Sequence, residues 1–584
     1  MKSSKSVLSR LLEYTKPYKL FLITAIISAI ISVIFSLLVP VFIGQAVDLI
    51  VGKGNVNFAQ LPPILIRLAV TVVASAIFLW IMTFCTNRIT YNTVKDIRND
   101  IYRKLNIVPL IYSDRTPHGD IISRIINDVD QISDGLLQGF SQLLTGIVTI
   151  LGTIVFMLSI NVKLGLVVIL ITPLSLFVAW FITKISHGMF REQAKVKGEI
   201  GACVDELIGN QKVVKAFSHE DKSQAKFEEI NARLYKCGVK AQFYSALTNP
   251  TTRFVNGIVY AAVGVFGAIS IVNGSTDAVS VGEIATFLNY ANQYTKPFNE
   301  ITGVITELQY AFSSARRVFA VLDEETEISD NDNMTLNECN GSVTISDVDF
   351  CYNPEVPLIE NLNLDIKPGQ RIAIVGPTGC GKTTLINLLM RFYDVKAGSI
   401  KTSGIDIRKL KRDNLRSMYG MVMQETWIFT GTVKENIAYG CPDATDEEII
   451  QAAKMAHAHS FIKRLPDGYN TIVSENGGVL SQGQKQLLSI ARIMLTSPPM
   501  LILDEATSSI DTMTEQRIQK AFAKLMKGRT SFIIAHRLST IKDADIILVM
   551  KSGHIIEQGS HEELLTNKGF YADLYNSQFE QAAG

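Results

Sequence analysis

Gly376-Pro-Thr-Gly-Cys-Gly-Lys-Thr-Thr384 identifies the fold of the second half of this chain, because it fits the pattern G-x-x-x-x-G-K-[ST] in a suitable context. The apolar run Arg371–Val375 before it predicts a buried strand, and Thr384–Phe392 after it predicts a helix. A strand, a glycine-rich turn and a helix N-terminus form an anion site, because backbone N–H groups and the helix dipole both face the turn. The sequence therefore predicts a nucleoside triphosphate site.

Each residue type in this turn has a role in binding phosphate. Gly376, Gly379 and Gly381 permit unusual φ angles and a close approach of phosphate. The Lys382 ammonium is expected to reach the β- and γ-phosphates, and the Thr383 hydroxyl is expected to ligate Mg²⁺. The predicted ATP-binding stretch comprises Gly376, Pro377, Thr378, Gly379, Cys380, Gly381, Lys382, Thr383 and Thr384.

Length and composition indicate more than one domain and a membrane setting. The chain has 584 residues, too many for one hydrophobic core, so two or more domains are expected. The formal net charge is +1, and without a basic excess no nucleic-acid partner is expected. Hydrophobic residues make up 47% of the chain and concentrate before about Leu322. The seven cysteines have no metal-ligand spacing and are expected to be reduced thiols.

Six apolar segments in the first half are long enough to cross a bilayer whose hydrocarbon core is about 30 Å thick. They are Leu20–Val51, Ile64–Phe84, Leu136–Leu158, Leu164–Ile185, Phe243–Val272 and Val281–Ile305. Lysine and arginine concentrate before the first segment and in the loops after the second and fourth, whereas the alternate loops are short and poor in charge. By the positive-inside rule we expect a multi-pass protein of the plasma (inner) membrane with its N- and C-termini in the cytoplasm.

The two long cytosolic loops keep helical periodicity and many charges over residues 86–104 and 187–240. The spans are therefore expected to continue as helices beyond the membrane. Glycine and proline punctuation places the tips of these extensions near residues 111–119 and 209–218. Each tip is either a solvated helical hairpin or a contact that transmits motion to the nucleotide-binding half.

An acidic, polar stretch predicts a linker at residues 326–340. It separates a transmembrane domain at residues 1–325 from a nucleotide-binding domain at residues 341–584, where strand and helix patterns alternate. The predicted architecture is an N-terminal all-α polytopic membrane domain of six helices with long cytosolic extensions, followed by a C-terminal α/β P-loop ATPase domain.

Strongly polar residues are few inside the apolar segments and cluster in the fifth and sixth: Arg253, Asn289, Gln293, Lys296 and Asn299. Intramembrane polar groups are costly and usually face a bundle interior or a wet cavity. Two interpretations stay open at this point. Either these residues line a translocation cavity, or several of them lie at the level of the lipid headgroups.

Two buried strands downstream of the P-loop are followed by polar residues. Met500–Leu503 is followed by Asp504 and Glu505, where Asp504 is expected to hold Mg²⁺ and Glu505 to polarise the attacking water. Ser531–Ala535 is followed by His536, which is expected to reach the γ-phosphate. Polar groups at strand ends in a P-loop domain are typical of a site that hydrolyses ATP.

With these motifs in this order, the second half resembles the nucleotide-binding domain of ATP-binding cassette (ABC) transporters. The whole chain resembles a six-span exporter half-transporter of that family, which implies ATP and Mg²⁺ as cofactors. Tyr352, in Phe350-Cys-Tyr352, matches the aromatic residue that stacks on adenine. Gln424 matches the glutamine that touches Mg²⁺ and senses the membrane domain.

The resemblance also assigns roles to the segments near the strand ends. Leu480-Ser-Gln-Gly-Gln484 stands at the family signature, so Ser481, Gly483 and Gln484 would face ATP held by a second subunit. Residues 471–477 resemble the exporter-specific loop that contacts a cytosolic tip, and residues 508–511 match the D-loop, which ends in Asp511. The implied catalytic residues are Glu505, His536 and Gln424, and the implied metal ligands are Thr383, Gln424 and Asp504. The family also favours a coupling role for both tips.

The signature departs from the family pattern Leu-Ser-Gly-Gly-Gln because Gln482 replaces its first glycine. Glutamine adds bulk and restricts φ where a glycine admits close approach of phosphate. Leu487 also stands where the family usually has arginine. An altered signature beside intact Glu505 and His536 favours one half of a heterodimer with one degenerate ATP site, whereas a homodimer that tolerates Gln482 is the alternative.

The resemblance implies an ATPase coupled to transmembrane transport by alternating access, in which ATP favours closure of two nucleotide domains. The expected function is efflux of hydrophobic or amphipathic compounds, of the multidrug type, within a lipid bilayer and with a second ABC half-transporter as partner. A homodimeric lipid or peptide exporter is an alternative, and so is a non-transporting ABC sensor or channel.

Overall fold

The structure is a computed structural model that describes residues 6–51, 56–272, 279–353, 355–423, 426–474, 480–504, 510–535 and 541–577. The chain divides into two compact units. The first comprises Met1–Ile107 and Thr116–Glu324, and the second comprises Val108–Arg115 and Glu325–Gly584. A short segment from the first half of the sequence is therefore structurally part of the second unit.

The described residues of the first half form helices and the short turns that join them, and contain no strand. Its helices are α1 (Val7–Thr15), α2 (Lys19–Ile50), α3 (Leu61–Leu105), α4 (Leu110–Arg115), α5 (His118–Ser123), α6 (Val129–Gln138), α7 (Leu144–Ile160), α8 (Val162–Ile171), α9 (Pro173–Gly209), α10 (Gln211–Ala216), α11 (Glu220–Ala246), α12 (Thr248–Val272) and α13 (Val281–Asp323). A 3-10 turn at Lys16–Tyr18 joins α1 to α2, and π-helical turns at Arg124–Asp128 and Gly139–Leu143 flank α6.

Helix α3 shows how the helices extend beyond the predicted spans. Its 45 residues correspond to roughly 67 Å at about 1.5 Å per residue, more than twice the hydrocarbon thickness. Its apolar first part exposes large side chains such as Trp80, which is 68% exposed, as contact with lipid requires. Its second part carries Lys95 and Arg98 in the same continuous helix. The expected continuation of a span as a helix beyond its apolar part is therefore seen in α3.

Four helical stretches among the described residues are long and apolar enough to cross a bilayer: Val7–Ile50, Leu61–Leu105, His118–Ile160 and Glu220–Val272. They contain the second, third and fifth predicted spans, and all of the first except its last residue, Val51. The other two predicted spans are helical as well. The fourth is divided at Thr172 because α9 begins at Pro173, which has no N–H. The sixth lies in α13, where Glu283, Lys296 and Glu300 reduce its hydropathy.

The second unit combines strands and short helices. Its strands are β1 (Val343–Phe350), β2 (Ile359–Ile366), β3 (Arg371–Val375), β4 (Ala397–Thr402), β5 (Ile405–Asp406), β6 (Tyr419–Val422), β7 (Gly431–Thr432), β8 (Ile472–Val473), β9 (Met500–Asp504), β10 (Thr530–Ile534), β11 (Ile546–Lys551) and β12 (His554–Gly559). Besides α4, its helices are α14 (Lys382–Leu389), α15 (Arg412–Ser417), α16 (Val433–Ile437), α17 (Asp446–Met455), α18 (His459–Ile462), α19 (Gln482–Thr496), α20 (Thr512–Met526), α21 (His561–Thr566) and α22 (Phe570–Tyr575).

The strands form a large sheet and two smaller ones. The six-stranded sheet has the order β12-β11-β3-β10-β9-β6 and is parallel except for β12 at one edge. An antiparallel sheet has the order β2-β1-β4-β5, and β7 pairs with β8. An α/β ATPase domain after a helical membrane domain is the predicted fold class, which is confirmed.

Side chains of the parallel strands alternate between two buried cores, one on each face of the six-stranded sheet. In β3, Ala373 and Val375 belong to one core, whereas Ile372 and Ile374 belong to the other. Because both faces are covered, the strands are apolar runs rather than alternations of apolar and polar residues. This is why Arg371–Val375 could be identified as a buried strand from sequence.

Residues of the predicted linker lie along the second unit in ordered contacts. Asp330 Oδ2 accepts a hydrogen bond from the backbone N–H of Arg412 at 2.6 Å, which lowers the pKa of Asp330. The Arg412 guanidinium donates to the Ile328 carbonyl at 2.7 Å, and Asn333 Nδ2 donates to the Leu410 carbonyl at 3.1 Å. One acidic residue of the predicted linker, Asp330, therefore also takes part in these contacts.

Candidate functional site

The predicted ATP-binding stretch connects β3 to α14 at one edge of the six-stranded sheet. Strand β10 lies between β3 and β9, and Ile374, Ile534 and Asp504 are in register across the three strands. The carboxyl ends of these parallel strands therefore meet at one edge, which is where ligands bind in open α/β sheets. The fold thus brings the P-loop and Asp504 to the same edge.

Three glycines define the path of the loop, because each has a positive φ that residues with side chains rarely adopt. The φ angle is +152° at Gly376, +82° at Gly379 and +103° at Gly381. A Cβ atom on Gly376 would lie 2.2 Å from the Met550 carbonyl oxygen, whereas one on Gly379 would meet nothing within 4 Å. The loop therefore packs against β11 at Gly376 and leaves space at Gly379, where a phosphate can approach.

The Lys382 side chain lies over the loop that precedes it. Its ammonium donates hydrogen bonds to the carbonyls of Gly376 at 2.8 Å and Pro377 at 3.0 Å. These bonds hold a positive charge over the turn. Thr383, in the first turn of α14, is exposed, so its hydroxyl is accessible to a metal ion. Cys380 is buried, so it contributes its backbone rather than its thiol to the open side of the loop.

Tyr352 follows β1 and lies beside α14. Its hydroxyl donates to Thr384 Oγ1 at 3.3 Å and accepts a hydrogen bond from Asn387 Nδ2 at 3.3 Å. Its half-buried ring makes edge contacts with Phe350 and Tyr393, with centroid separations of 4.9 and 5.0 Å. The ring predicted to stack on adenine therefore lies next to the last residue of the predicted ATP-binding stretch.

Helix α19 begins at the predicted signature, and a capping box closes its N-terminus. Ser481 Oγ accepts the backbone N–H of Gln484 at 3.3 Å, and Gln484 Oε1 accepts the backbone N–H of Ser481 at 2.9 Å. Ser481 and Gln484, which the resemblance implies would face ATP, thus hydrogen-bond to the backbone at the start of their own helix in this structure.

The two central signature residues occupy different environments. Gly483 is buried, and a Cβ atom there would lie 2.5 Å from Thr514 Cγ2 and 2.9 Å from Ile510 Cγ2. Glycine at this position therefore allows α19 to pack closely on α20. Gln482 is exposed at the first position of α19. The substituted position faces outward, and the retained glycine serves packing.

Asp511 and Leu487, which the sequence also singled out, have local roles in the fold. Asp511 caps α20, because its Oδ2 accepts the backbone N–H of Thr514 at 2.9 Å. This hydrogen bond lowers the pKa of Asp511. Leu487 is 1% exposed and belongs to a core of the ATPase domain, so an apolar residue suits its environment.

Several predicted site residues lie outside the described residues: Gln424, Glu505, Ser508, His536 and positions 475–477 of the exporter-specific loop. The described strands show where two of these segments begin. β9 ends at Asp504 and β10 ends at Ile534. Glu505 and His536 come after these two strands in the sequence, and their roles remain predictions.

The described residues contain no cluster of three or more histidine, cysteine, aspartate or glutamate side chains that could hold a metal ion. Mg²⁺ in nucleotide sites usually takes one or two protein ligands and completes its shell with phosphate oxygens and waters. The exposed hydroxyl of Thr383 and the carboxylate of Asp504 at the same sheet edge fit that sparse set of ligands.

Sequence reasoning missed residues that contact Tyr352 from elsewhere in the chain. Arg115 Nη2 donates to the Tyr352 carbonyl at 2.6 Å, although 237 positions separate the two residues. Tyr393 contacts the Tyr352 ring, and its hydroxyl donates to Asp114. Local periodicity carries no information about contacts over such separations. The nearest sequence signal was the predicted tip near residues 111–119.

Comparisons with known proteins agree along the chain. Residues 22–298 match the family described as ABC transporter transmembrane region, and residues 359–508 match the family described as ABC transporter. A fatty acid ABC transporter ATP-binding/permease protein of Mycobacterium bovis is 42% identical over 91% of this chain and 83% of its own length. A Staphylococcus aureus protein named provisionally as a multidrug export ATP-binding/permease protein is 36% identical over 98% of this chain and 100% of its own length. A bacterial Atm1-family ABC exporter, solved with ATP bound, has a TM-score of 0.78 and 28% identity, covering 96% of this chain and 98% of that one.

Proposed function

The chain belongs to the ABC transporter family, and on that premise we propose that it is one half of a heterodimeric exporter for hydrophobic and amphipathic compounds. It is a membrane-spanning exporter half-transporter whose ATPase domain couples hydrolysis of ATP, with Mg²⁺, to transport. In the proposed assembly it lies in the plasma (inner) membrane with both termini in the cytoplasm, as the distribution of lysine and arginine favours.

The observation that carries the heterodimer proposal is Gln482. It is exposed at the N-terminus of α19, the end of the helix where backbone N–H groups attract an anion. A glutamine side chain there obstructs the close approach that a glycine allows. Packing in the ATPase domain explains why Leu487 is apolar and why position 483 is a glycine. Packing does not explain the glutamine at position 482, because that side chain is exposed. We infer that it weakens the ATP site that this signature covers.

In the proposed heterodimer, this chain's P-loop pairs with the partner's signature to form the site that hydrolyses ATP. The glycines of the loop and Lys382 bind the phosphates, and the Tyr352 ring stacks on adenine. Glu505 polarises the attacking water, and His536 contacts the γ-phosphate. Mg²⁺, when bound by Thr383, Asp504 and Gln424, would neutralise charge on the phosphates. The signature containing Gln482 then covers the partner's slower site.

The substrate class is inferred from the polar groups inside the membrane helices. The side-chain oxygens of Asn256 in α12 and Gln293 in α13 are buried and have no hydrogen-bond partner among the described residues. Unpaired polar atoms in a membrane helix are costly unless a cavity or ligand serves them. A substrate with an apolar body and a hydrogen-bond donor would satisfy them, which supports an amphipathic compound carried in the multidrug manner.

The ATPase activity of this chain purified alone, compared with the chain co-expressed with a second half-transporter, tests the proposal. We expect activity only with the partner, and we expect Gln482→Gly in that complex to raise turnover by restoring the second site. Vigorous activity of the chain alone would contradict the heterodimer. If Gln482→Gly left the turnover of the complex unchanged, the degenerate-site assignment would be wrong.

A homodimeric lipid exporter is the second candidate, and the Mycobacterium bovis relative favours it because that protein is named as a fatty acid transporter. The two candidates differ in subunit composition and in substrate. ATP-dependent uptake into inside-out vesicles, measured with a labelled fatty acid and with a fluorescent amphipathic cation, distinguishes them. If vesicles that contain only this chain took up the fatty acid but not the cation, the second candidate would be supported.

A further inference from the structure

Helix α4, at the first cytosolic tip, contacts the aromatic residues around the proposed adenine site. We propose that α4 positions the Tyr352 ring, so that affinity for the nucleobase, but not for the phosphates, depends on Arg115 and on the Asp114–Tyr393 pair. The inference rests on the proposed role of Tyr352 in stacking on adenine. Arg115, Asp114 and Tyr393 are positioning residues in this account, because they act on ATP through Tyr352.

The first contact fixes the backbone of Tyr352. Arg115 Nη2, at the end of α4, donates to the Tyr352 carbonyl at 2.6 Å. Hydrogen bonds from a charged donor are short and stronger than those between neutral groups. Because β1 has already ended at Phe350, sheet pairing no longer holds the backbone at Tyr352. The guanidinium therefore supplies a restraint at the point where the chain turns away from the sheet.

The second contact acts on the ring. The Tyr393 hydroxyl donates to the Asp114 carboxylate, and burial together with this hydrogen bond raises the pKa of Tyr393. The hydroxyl consequently stays protonated and remains a donor at neutral pH. The Tyr393 ring meets the Tyr352 ring edge-on, at 5.0 Å and 88°, and meets Phe350 at 5.7 Å. Such aromatic pairs have a preferred geometry, so fixing Tyr393 also fixes the orientation of Tyr352.

The third contact lies on the opposite side of Tyr352, at α14. The Tyr352 hydroxyl is within 3.3 Å of Thr384 Oγ1 and of Asn387 Nδ2. The ring is therefore held between α4 and the helix that begins at the P-loop. Ile111 of α4 packs against the same core as Tyr352, which adds an apolar contact to the two polar ones.

Because of these contacts, the affinity for the nucleobase should change independently of the affinity for the phosphates. The phosphate-binding groups are the loop glycines and Lys382, whose described hydrogen bonds go to the loop itself and not to α4. Loss of a contact from α4 should make the orientation of the Tyr352 ring less fixed, without moving the phosphate-binding loop. By linkage, a nucleotide that stacks on Tyr352 should in turn favour the docked position of α4. The tip would then respond to the base as well as to the phosphates.

The experiment measures the Kd of Mg-ADP and of Mg-pyrophosphate for the intact transporter complex, since neither ligand is hydrolysed and only one carries a base. We expect Arg115→Ala and Tyr393→Phe each to raise the Kd of Mg-ADP by about three- to tenfold, which is the effect of losing one hydrogen bond. Mg-pyrophosphate should bind unchanged, and Arg115→Lys should recover part of the loss. Equal weakening of both ligands, or no change for Mg-ADP, would overturn the inference.

Two matched controls keep the result specific. Tyr571, on α22, has its hydroxyl 2.7 Å from His561 Nδ1. Tyr571→Phe removes that hydroxyl and should leave the affinity for both ligands unchanged. Arg124→Ala removes an arginine that pairs with Asp120, just after the tip in sequence, and should also leave both unaffected. A loss of Mg-ADP affinity in either control equal to that in Arg115→Ala would count against a specific role of α4.

Tyr352→Ala distinguishes failure of the inference from failure of the proposed site. If it weakens Mg-ADP but not Mg-pyrophosphate while Arg115→Ala and Tyr393→Phe have no effect, the adenine site stands and the positioning role of α4 is wrong. If Tyr352→Ala changes neither ligand, the proposed adenine site is itself wrong. Arg115 is exposed, so Arg115→Ala is expected to fold and remains informative even if Tyr393→Phe does not.

Discussion

At the scale of single residues, the glycines of this ATPase domain serve two different purposes. Gly379 and Gly381 adopt φ angles of +82° and +103°, which shape the phosphate loop. Gly483 has no such angle and is required because α20 lies where its side chain would be. The sequence motif presents the signature glycine as a ligand-facing residue, whereas its surroundings in the fold are those of a helix-packing residue.

Replacement of Gly483 by alanine should therefore destabilise the protein. The new Cβ would lie 2.5 Å from Thr514 Cγ2, and overpacking of this kind typically costs about 1–3 kcal/mol. Thermal unfolding of the purified protein measures the change. Gln482→Ala is the matched control, because that side chain is exposed at the adjacent position and should change stability by less than about 0.5 kcal/mol. Equal Tm values for both variants would contradict the packing role.

Glu505 provides the sharpest test of the catalytic assignment. Glu505→Gln keeps the shape of the side chain but removes the charge that polarises water, so ATP turnover should fall to near background. ATP binding should persist, because the phosphate contacts come from the P-loop and Lys382. Turnover and nucleotide binding are measured on the same preparation, with Glu562→Gln, an exposed glutamate on α21, as control. Substantial residual hydrolysis in Glu505→Gln would refute the role of Glu505.

At the scale of helices, α2 and α13 are joined by polar contacts at one end. Asp48 Oδ1 accepts the backbone N–H of Gly282 at 2.7 Å, and Asp48 Oδ2 accepts the Ser280 hydroxyl at 2.7 Å. An aspartate at the N-terminus of α13 suits the helix dipole there. Tyr290, which is fully buried, donates its hydroxyl to the Leu37 carbonyl at 2.7 Å.

This junction depends on glycine at the crossing point of the two helices. A Cβ atom on Gly282 would lie 2.1 Å from the Gly44 carbonyl oxygen, so Gly282→Val should force the helices apart and lower the Tm in detergent. Gly303→Val on the same helix is the control, because a Cβ there would meet nothing within 4 Å. If both valine variants unfolded at the same temperature as the unmodified protein, the close crossing would not contribute to stability.

At the scale of the whole molecule, three histidines link the stability of the ATPase domain to pH. Burial lowers the pKa of His457, His459 and His561, and nearby lysines lower it further. In the unfolded chain these imidazoles titrate near their ordinary value of about 6.5, so below that pH the unfolded state binds more protons. The stability they contribute is fully present above that value and is lost as pH falls through the lower pKa values of the folded state.

Thermal unfolding at about pH 7.5 and about pH 5.5 should accordingly show a lower Tm in acid. A variant with glutamine at His457, His459 and His561 should show a smaller acid-induced decrease, because it lacks the groups that gain protons on unfolding. His219→Gln, at an exposed position outside the ATPase domain, should retain the full decrease. An undiminished decrease in the triple variant would mean that other groups carry the pH dependence.

Local sequence determined the parts of this protein whose causes are local. The P-loop followed from glycine and lysine spacing between an apolar strand and a helix, and the membrane spans followed from runs of apolar residues and from charge between them. The long extensions in α3, α9 and α11 followed from uninterrupted helical periodicity. In each case the signal and the structure lie within the same few turns of chain, so periodicity and propensity were sufficient.

Tertiary structure alone decided which distant residues surround the site. Arg115 meets Tyr352 across 237 positions of sequence, and α4 belongs to the second unit although it lies in the first half of the chain. The packing role of Gly483 likewise depends on where α20 lies against α19. Such contacts depend on the path of the whole chain. They could not be predicted from sequence, because packing between residues far apart in the chain produces no local periodic pattern.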